Sequence, residues 1–557
     1  MIPILYPASV QEYIDYGLMG FAMSRFSGCW TGFKCVGDII ESTASISIDP
    51  DRLDIKIPHD FEFPEDGIHI RWPDGPVEQE KRLISVKLKA AQAFVRENKL
   101  DRVTHRTVRK RLGIVAPGKA WLNVCQAFEE LGLSDAERQD LGLGVFKVAM
   151  PWPLEPTRIL SWAESFDEVL VIEEKRNLIE DQLARILYDM PVEIRPRLVG
   201  KRDGQGNLLV PEFGELNGTI IAQIIANRFL EDDQENSGGN CLVSAAAAIK
   251  ARTSQSNKPV APPERSPWFC AGCPHNSSTK VPEGSRALAG IGCHTMSVYM
   301  DRRTAAYTHM GGEGGTWIGQ APFTTAKHVF QNIGDGTYYH SGLMAIRAAV
   351  SSGVNITYKI LFNDAVALTG GQPMDGELYP WTISEQIAAE GVGRIAVISD
   401  EPEKYADHLN WAPQVEIFHR RELERIQLEM RELEGVTAII YDQTCAAEKR
   451  RRRKRGLYPD PARRIFINDA VCEGCGDCNT ASNCVAVRPL DTPIGRKRVI
   501  DQSSCNKDFS CLEGFCPSLA TVEGGYLRKS EPPNQGQNNP AADLPDPELP
   551  EINGTYH

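Results

Sequence analysis

The chain has 557 residues, of which 42% are hydrophobic and 24% charged, and a formal net charge of −13. Length on this scale implies about three to five domains with ordinary cores, and the acidic balance argues against general nucleic-acid binding. No apolar run approaches the roughly 18 residues of a membrane helix, and the N-terminus lacks the basic region and apolar core of a secretory signal. The expected location is the cytoplasm, where the 15 cysteines stay reduced, so that clustered ones read as metal ligands and not as disulfides.

In chain order, residues 10–23 carry a helical pattern and 44–48 a strand-like one; 1–48 read as the end of an α/β domain. Residues 49–110 are Pro-rich and then charged, a connector. Over 111–235 apolar strands at 112–116, 145–149 and 169–173 alternate with helices at 119–131, 157–164 and 178–188, the signature of a parallel sheet. Residues 236–267 read as a linker. A second α/β domain follows over 268–447, with strands at 329–333, 356–362, 394–399 and 437–441 and a helix at 339–350. A basic linker (448–464), a cysteine-rich region (465–524) and a tail (525–557) rich in Pro, Asn and acids, expected to be disordered, complete the chain. The fold class is multi-domain α/β with a small ferredoxin-like region.

The strand at 329–333 ends on Gly334-Asp335-Gly336, and the next strand ends on Asn363-Asp364. One carboxylate and one carboxamide at neighbouring strand ends, with a carbonyl at Ala365, form the oxygen donor set that Mg²⁺ requires. The glycines admit a phosphate close to the backbone, and the helix that follows turns its N-terminus to the anion. This reads as the Mg²⁺–diphosphate anchor of thiamine diphosphate, against the plainer reading of a turn. Thr369-Gly370-Gly371-Gln372 supplies a second phosphate loop. Gly311-Gly312-Glu313-Gly314-Gly315 is either a third or a hinge.

Cys270-x-x-Cys273 and Cys293 place three thiolates around this domain, with Cys445 as the best fourth. They suit a [4Fe-4S] cluster, with zinc as the alternative; His275 and His294 beside them read as surface or supporting residues. Cys472, Cys475 and Cys478 have the spacing of the first three ligands of a ferredoxin loop. Cys516 would complete that cluster, leaving Cys484, Cys505 and Cys511 for a second, incomplete one. Cys29, Cys35, Cys125 and Cys241 read as small buried hydrophobes. The basic run 449–455 reads as a packing or docking stretch, suited to an acidic electron carrier.

Taken together, Phe269-Cys-Ala-Gly-Cys-Pro-His-Asn276, Gly290-Ile-Gly-Cys-His294, Gly334-Asp-Gly-Thr-Tyr-Tyr-His-Ser-Gly342, the segment ending in Asn363-Asp364, Thr369-Gly-Gly-Gln-Pro373 and Cys472-Glu-Gly-Cys-Gly-Asp-Cys478 resemble the indolepyruvate:ferredoxin oxidoreductases. The likeness is to their long fused bacterial form. The resemblance implies Asp335 and Asn363 as Mg²⁺ ligands, a cluster on Cys270, Cys273, Cys293 and Cys445, and a transketolase-C-terminal-like domain after residue 111. It implies oxidative decarboxylation of a 2-oxo acid, an aryl pyruvate such as indolepyruvate favoured. Coenzyme A would take the acyl group and ferredoxin the electrons. His340 is either an acid or base at the reacting centre or a locally packed residue. The rival readings are a non-oxidative thiamine diphosphate-dependent decarboxylase or synthase, and a non-catalytic iron–sulfur subunit. The fused family also carries a pyrimidine-binding domain and a Rossmann-like component. Here only the end of the first is recognisable (1–48), so an interior fragment is expected, assembling as a homo-oligomer or with the parts it lacks.

Overall fold

The computed structural model describes residues 1–69, 72, 74–232, 247, 249, 251, 266–408 and 410–525. Cys241, most of the linker over 236–267 and the tail beyond 525 lie outside the described residues. The chain forms two compact units, Met1–Pro262 and Pro263–His557.

In the first unit, β1 (Ile4–Leu5) pairs in parallel with β2 (Gly32–Phe33) across α1 (Val10–Ser27). Ser9 caps α1 by accepting from the Glu12 N–H, and Gly28 closes it in the left-handed conformation. Residues 44–48 form no strand. Within the stretch read as a connector, α2 (Pro76–Arg82) runs through a π turn at Leu83–Lys87 into α3 (Leu88–Glu97). Its apolar face (Ala90, Ala91, Phe94, Val95) shares a core with Tyr16, Met19 and Met23 of α1.

A five-stranded sheet follows, in the order β3-β5-β4-β6-β7. The strands are β3 (Arg102–His105), β4 (Leu112–Pro117), β5 (Leu143–Val148), β6 (Glu168–Val171) and β7 (Arg197–Val199). All pairs are parallel except β3 with β5. The apolar run of β4 is buried along its whole length because helices cover both faces. These helices include α4 (Gly118–Glu130), α5 (Pro156–Ala163), α6 (Leu178–Tyr188) and α7 (Gly218–Asp232).

The second unit begins with the short helix α8 (His275–Ser278) and is built on a seven-stranded parallel sheet in the order β13-β12-β14-β11-β10-β8-β9. The strands are β8 (Ala287–Ala289), β9 (Thr304–Tyr307), β10 (Val329–Gly334), β11 (Ile356–Phe362), β12 (Arg394–Ser399), β13 (Glu416–His419) and β14 (Val436–Asp442). Helix α9 starts at once on Asp335, passes through a π turn at Tyr338–Gly342 and ends at Ser352. With α10 (Pro380–Ala389) it contributes to one core of the sheet, while α11 (Leu423–Arg431) packs on the other.

After α12 (Ala446–Lys454) come β15 (Arg463–Ile467), α13 (Asp477–Ser482), the hairpin of β16 (Val487–Thr492) and β17 (Gly495–Ile500), and β18 (Leu519–Glu523), antiparallel to β15. The cysteine-rich region thus holds two strand pairs around a core that includes Cys472 and Cys478. The sequence shows no regular pattern there.

Candidate active site

Parallel register sets Gly334 opposite Leu361 and brings the C-terminal ends of β10 and β11 together. There Asp335 is buried, 2% exposed. Its Oδ1 accepts from the Gly336 N–H at 2.8 Å, and its Oδ2 accepts from the N–H groups of Asn363 at 2.8 Å and Asp364 at 3.0 Å. Burial nevertheless pushes its carboxyl up to about 6, against these bonds. Asn363 turns a buried Oδ1 that has no hydrogen-bond partner. Two hard oxygen donors, one of them unsatisfied, at the start of a helix fit Mg²⁺ with a diphosphate.

A cleft of about 600 Å³ opens over these residues. Gly334, Asp335, Gly336, Asn363, Thr369, Gln372 and His340 line it; Ala365, Gly370, Gly371, Gly311 and Gly312 do not. Ala365 is buried. The loop over 369–372 closes on itself, with the Val366 N–H donating to Gln372 O and the Gly371 N–H to Val366 O. Gly311 donates to Glu313 Oε2 at 2.8 Å, and Glu313 is fully buried with its Oε1 unpartnered. Gly314, at φ 90°, leaves no room for a Cβ beside the Tyr358 hydroxyl, which donates to Glu313 O.

His340 is exposed at the cleft, its Nδ1 2.8 Å from the Ser341 hydroxyl. His275 and His294 also line the cleft, both buried and not at the surface, with rings 5.9 Å apart. Burial drives His294 down to about 3 and His275 to about 4, so both stay neutral. Nε2 of His294 accepts the Gly290 N–H, which leaves its proton on Nδ1. Thr337, Tyr339, Leu368 and Met374 line the cleft as well. Sequence reasoning missed them, although Thr337 and Tyr339 follow Asp335 directly.

Cys270, Cys273, Cys293 and Cys445 come together beside this cleft, which Cys293 itself lines. Burial first, and then the charges of Cys445 and Cys270, push Cys293 up to about 11. Cys273, buried, is raised by burial first and then by Cys270, Cys445 and Cys293. Thiols confined this closely fit a bound metal or cluster, whose positive charge would stabilise them as thiolates. Among the described residues no three His, Cys, Asp or Glu side chains converge on one ion.

The remaining cysteines divide into two groups. Cys478 feels Cys516 and Cys472, while Cys511 feels Cys505 and Cys484 most and is pushed up to about 12, chiefly by burial. Cys475, between Cys472 and Cys478 in sequence, is exposed. In the first unit Cys29 is buried, Cys125 half-buried and Cys35 exposed, contrary to its reading as a core residue.

Part of the basic run reaches back onto the protein, while Lys454 and Arg455 are exposed. Arg452 pairs with the Asp364 carboxylate and donates to its carbonyl, Arg453 donates to Asn506 O at 2.8 Å, Arg450 to Ser503 O at 2.7 Å, and Lys449 pairs with Asp400. Gly371 lies directly against Arg451. Helix α12 thereby joins the Asn363–Asp364 turn to the cysteine-rich region.

Residues 102–254 match the family described as indolepyruvate oxidoreductase domain, and 290–412 match the C-terminal TPP-binding domain of thiamine pyrophosphate enzymes. The chain is 26% identical over 429 residues to an indolepyruvate oxidoreductase subunit IorA from Thermococcus kodakarensis, covering 73% of this chain and 60% of that protein. It is 25% identical to the IorA subunit of Methanothermobacter marburgensis, covering 80% and 65%. For that of Methanothermobacter thermautotrophicus the values are 24%, 94% and 77%. The chain thus spans less than two thirds of the first two of these relatives. It carries a region similar to the indolepyruvate oxidoreductase domain ahead of one similar to the thiamine pyrophosphate-binding domain.

Proposed function

We propose that this chain carries the thiamine diphosphate and first electron-accepting centre of a 2-oxo acid oxidoreductase. It would oxidatively decarboxylate a 2-oxo acid, an aryl pyruvate such as indolepyruvate favoured, to an acyl-CoA, with electrons passing to ferredoxin. The observation that carries the reading is the pairing of Asp335 and the unsatisfied Asn363 amide with four thiols gathered beside the cleft, one of which, Cys293, lines it.

Thiamine diphosphate, when bound, supplies the nucleophilic carbon and the electron sink for loss of CO₂. Asp335 and Asn363 would hold its Mg²⁺, and the first turn of α9, with Gly336 and Thr337, would receive the diphosphate. Neutral His294, its proton on Nδ1, offers a hydrogen-bond donor in a water-poor part of the cleft. His340, exposed at the cleft, would stand as an acid or base beside the reacting centre. Cys270, Cys273, Cys293 and Cys445 would hold a [4Fe-4S] cluster near enough to take electrons singly. Cys472, Cys475, Cys478 and Cys516 would hold a second, and Cys484, Cys505 and Cys511 part of a third. The IorA name of its relatives marks them as subunits, so a partner chain supplying further parts of the site fits this reading.

The test is anaerobic isolation of the full chain with its partner, assay of bound coenzyme, iron and sulfide, and indolepyruvate-dependent reduction of ferredoxin or viologen. Reduction that requires both coenzyme and coenzyme A supports the proposal. Zinc without iron, or turnover without an electron acceptor, sinks it.

A further inference from the structure

A second cavity, of about 640 Å³, lies on the far side of α8 from the cofactor cleft: His275 faces the cleft and Ser277 the cavity. Its walls come from the cofactor domain and, through Thr480, Asn483 and Glu513, from the cysteine-rich region. Five cations line it, Lys280, Arg302, Arg303, Arg420 and Arg421, against three carboxylates, Asp301, Glu424 and Glu513. The difference, 5 − 3 = +2, stands in a chain whose net charge is −13.

Arg420 is spoken for, paired with Asp508 at 2.5 Å and Glu513 at 3.3 Å. The other four have no carboxylate within 4.0 Å among the described residues. Lys280 donates to Ala481 O, Arg302 to Asn276 O and Arg303 to Pro282 O, which leaves most of their N–H groups free for an anion. Behind the wall, Lys359 is fully buried. Its Nζ donates at 3.0 Å to Oε1 of Gln427, itself a lining residue, and at 2.9 Å to Lys280 O. Burial depresses Lys280, Arg302 and Lys359 alike, so the folded site holds positive charge at a cost. A bound anion offsets that cost, and the volume is in the range of small-molecule sites.

We propose that this cavity binds a phosphate-bearing anion through Lys280, Arg302, Arg303 and Arg421. The phosphates are either free inorganic phosphate or those of coenzyme A. The second source rests on the proposed function; the site itself does not.

The test is calorimetric titration of the full chain, its cofactor cleft first saturated with thiamine diphosphate and Mg²⁺, with inorganic phosphate and, separately, with coenzyme A. One saturable event is expected. It should weaken about tenfold for each of Arg302→Gln and Arg421→Gln, and Arg302→Lys and Arg421→Lys should keep most of it. Binding to the unaltered chain should also weaken steeply as salt rises from about 50 to about 500 mM. Coenzyme A bound more than about tenfold tighter than phosphate assigns the nucleotide, and equal affinities assign the free anion. No saturable event, or salt-independent binding, or Gln variants that fold and bind as the unaltered chain does, overturns the proposal. Thiamine diphosphate retention and iron content, read in the same samples, report on the proposed function separately.

Discussion

The backbone N–H of Cys445 donates to the carbonyl of Asn363 at 2.9 Å. One residue is a candidate iron ligand and the other a candidate magnesium ligand, so a single peptide hydrogen bond ties the two centres. Their side chains should still be separable by mutation. Cys445→Ser is expected to remove iron equivalent to one cluster, read by iron assay and EPR, with thiamine diphosphate retained. Asp335→Ala is expected to weaken coenzyme binding by about 100-fold or more, read by calorimetry, with iron unchanged. Loss of both groups from either variant contradicts the assignment.

Arg452 clamps Asp364, a non-glycine residue held at φ 58° beside the Asn363 ligand. The pair is part-exposed, with side chains 29% and 47% accessible, so its worth to stability is at most about 1 kcal/mol. Arg452→Gln should therefore barely move thermal unfolding. It should cost about tenfold in coenzyme affinity through the loosened turn. A fall in unfolding temperature with unchanged affinity would reverse the assignment.

Gly314→Ala forces a methyl group into the Tyr358 hydroxyl at a backbone angle that disfavours side chains. The expected cost is on the order of 2–3 kcal/mol in denaturant unfolding. In a Tyr358→Phe background the offending oxygen is gone, and the cost of the same glycine substitution should fall by about 1 kcal/mol.

Asp101, in the first unit, is 1% exposed; its Oδ1 accepts from the Ala149 and Met150 N–H groups and its Oδ2 has no partner. Burial pushes its carboxyl up to about 7. Between roughly pH 4, where the unfolded carboxyl titrates, and about pH 7, the folded chain keeps a proton that the unfolded chain has lost. The stability it contributes is full below that window and is lost as pH rises through it. Asp101→Asn should therefore match the unaltered chain near pH 4 and exceed it at about pH 8 by on the order of 1–3 kcal/mol. Urea unfolding at the two pH values checks this.

The buried strands were legible because an all-buried parallel strand must be an apolar run. The segments at 112–116, 329–333, 356–362 and 394–399 were each found to within a residue or so. Edge strands escaped: β3 and β13 are half-exposed and carry charge. So did β15 to β18, whose pairing follows from a small core of cysteines and aliphatics and not from alternation. That Asp335 and Asn363 meet was legible, since both stand at the ends of neighbouring apolar strands. For the 449–455 run packing was one of the two readings, but its partners were not legible. Its acceptors are mostly carbonyls distant in sequence, and a carbonyl leaves no trace in residue identity.

Helix α12 leaves no slack between the cofactor turn at its head and the cysteine-rich lobe along its flank. A carrier that shuttles charge by swinging needs a flexible tether, and this stretch is held by four side chains, Lys449, Arg450, Arg452 and Arg453. On the proposed function, electrons crossing this part of the molecule would rely on fixed spacing, with rates insensitive to solvent viscosity.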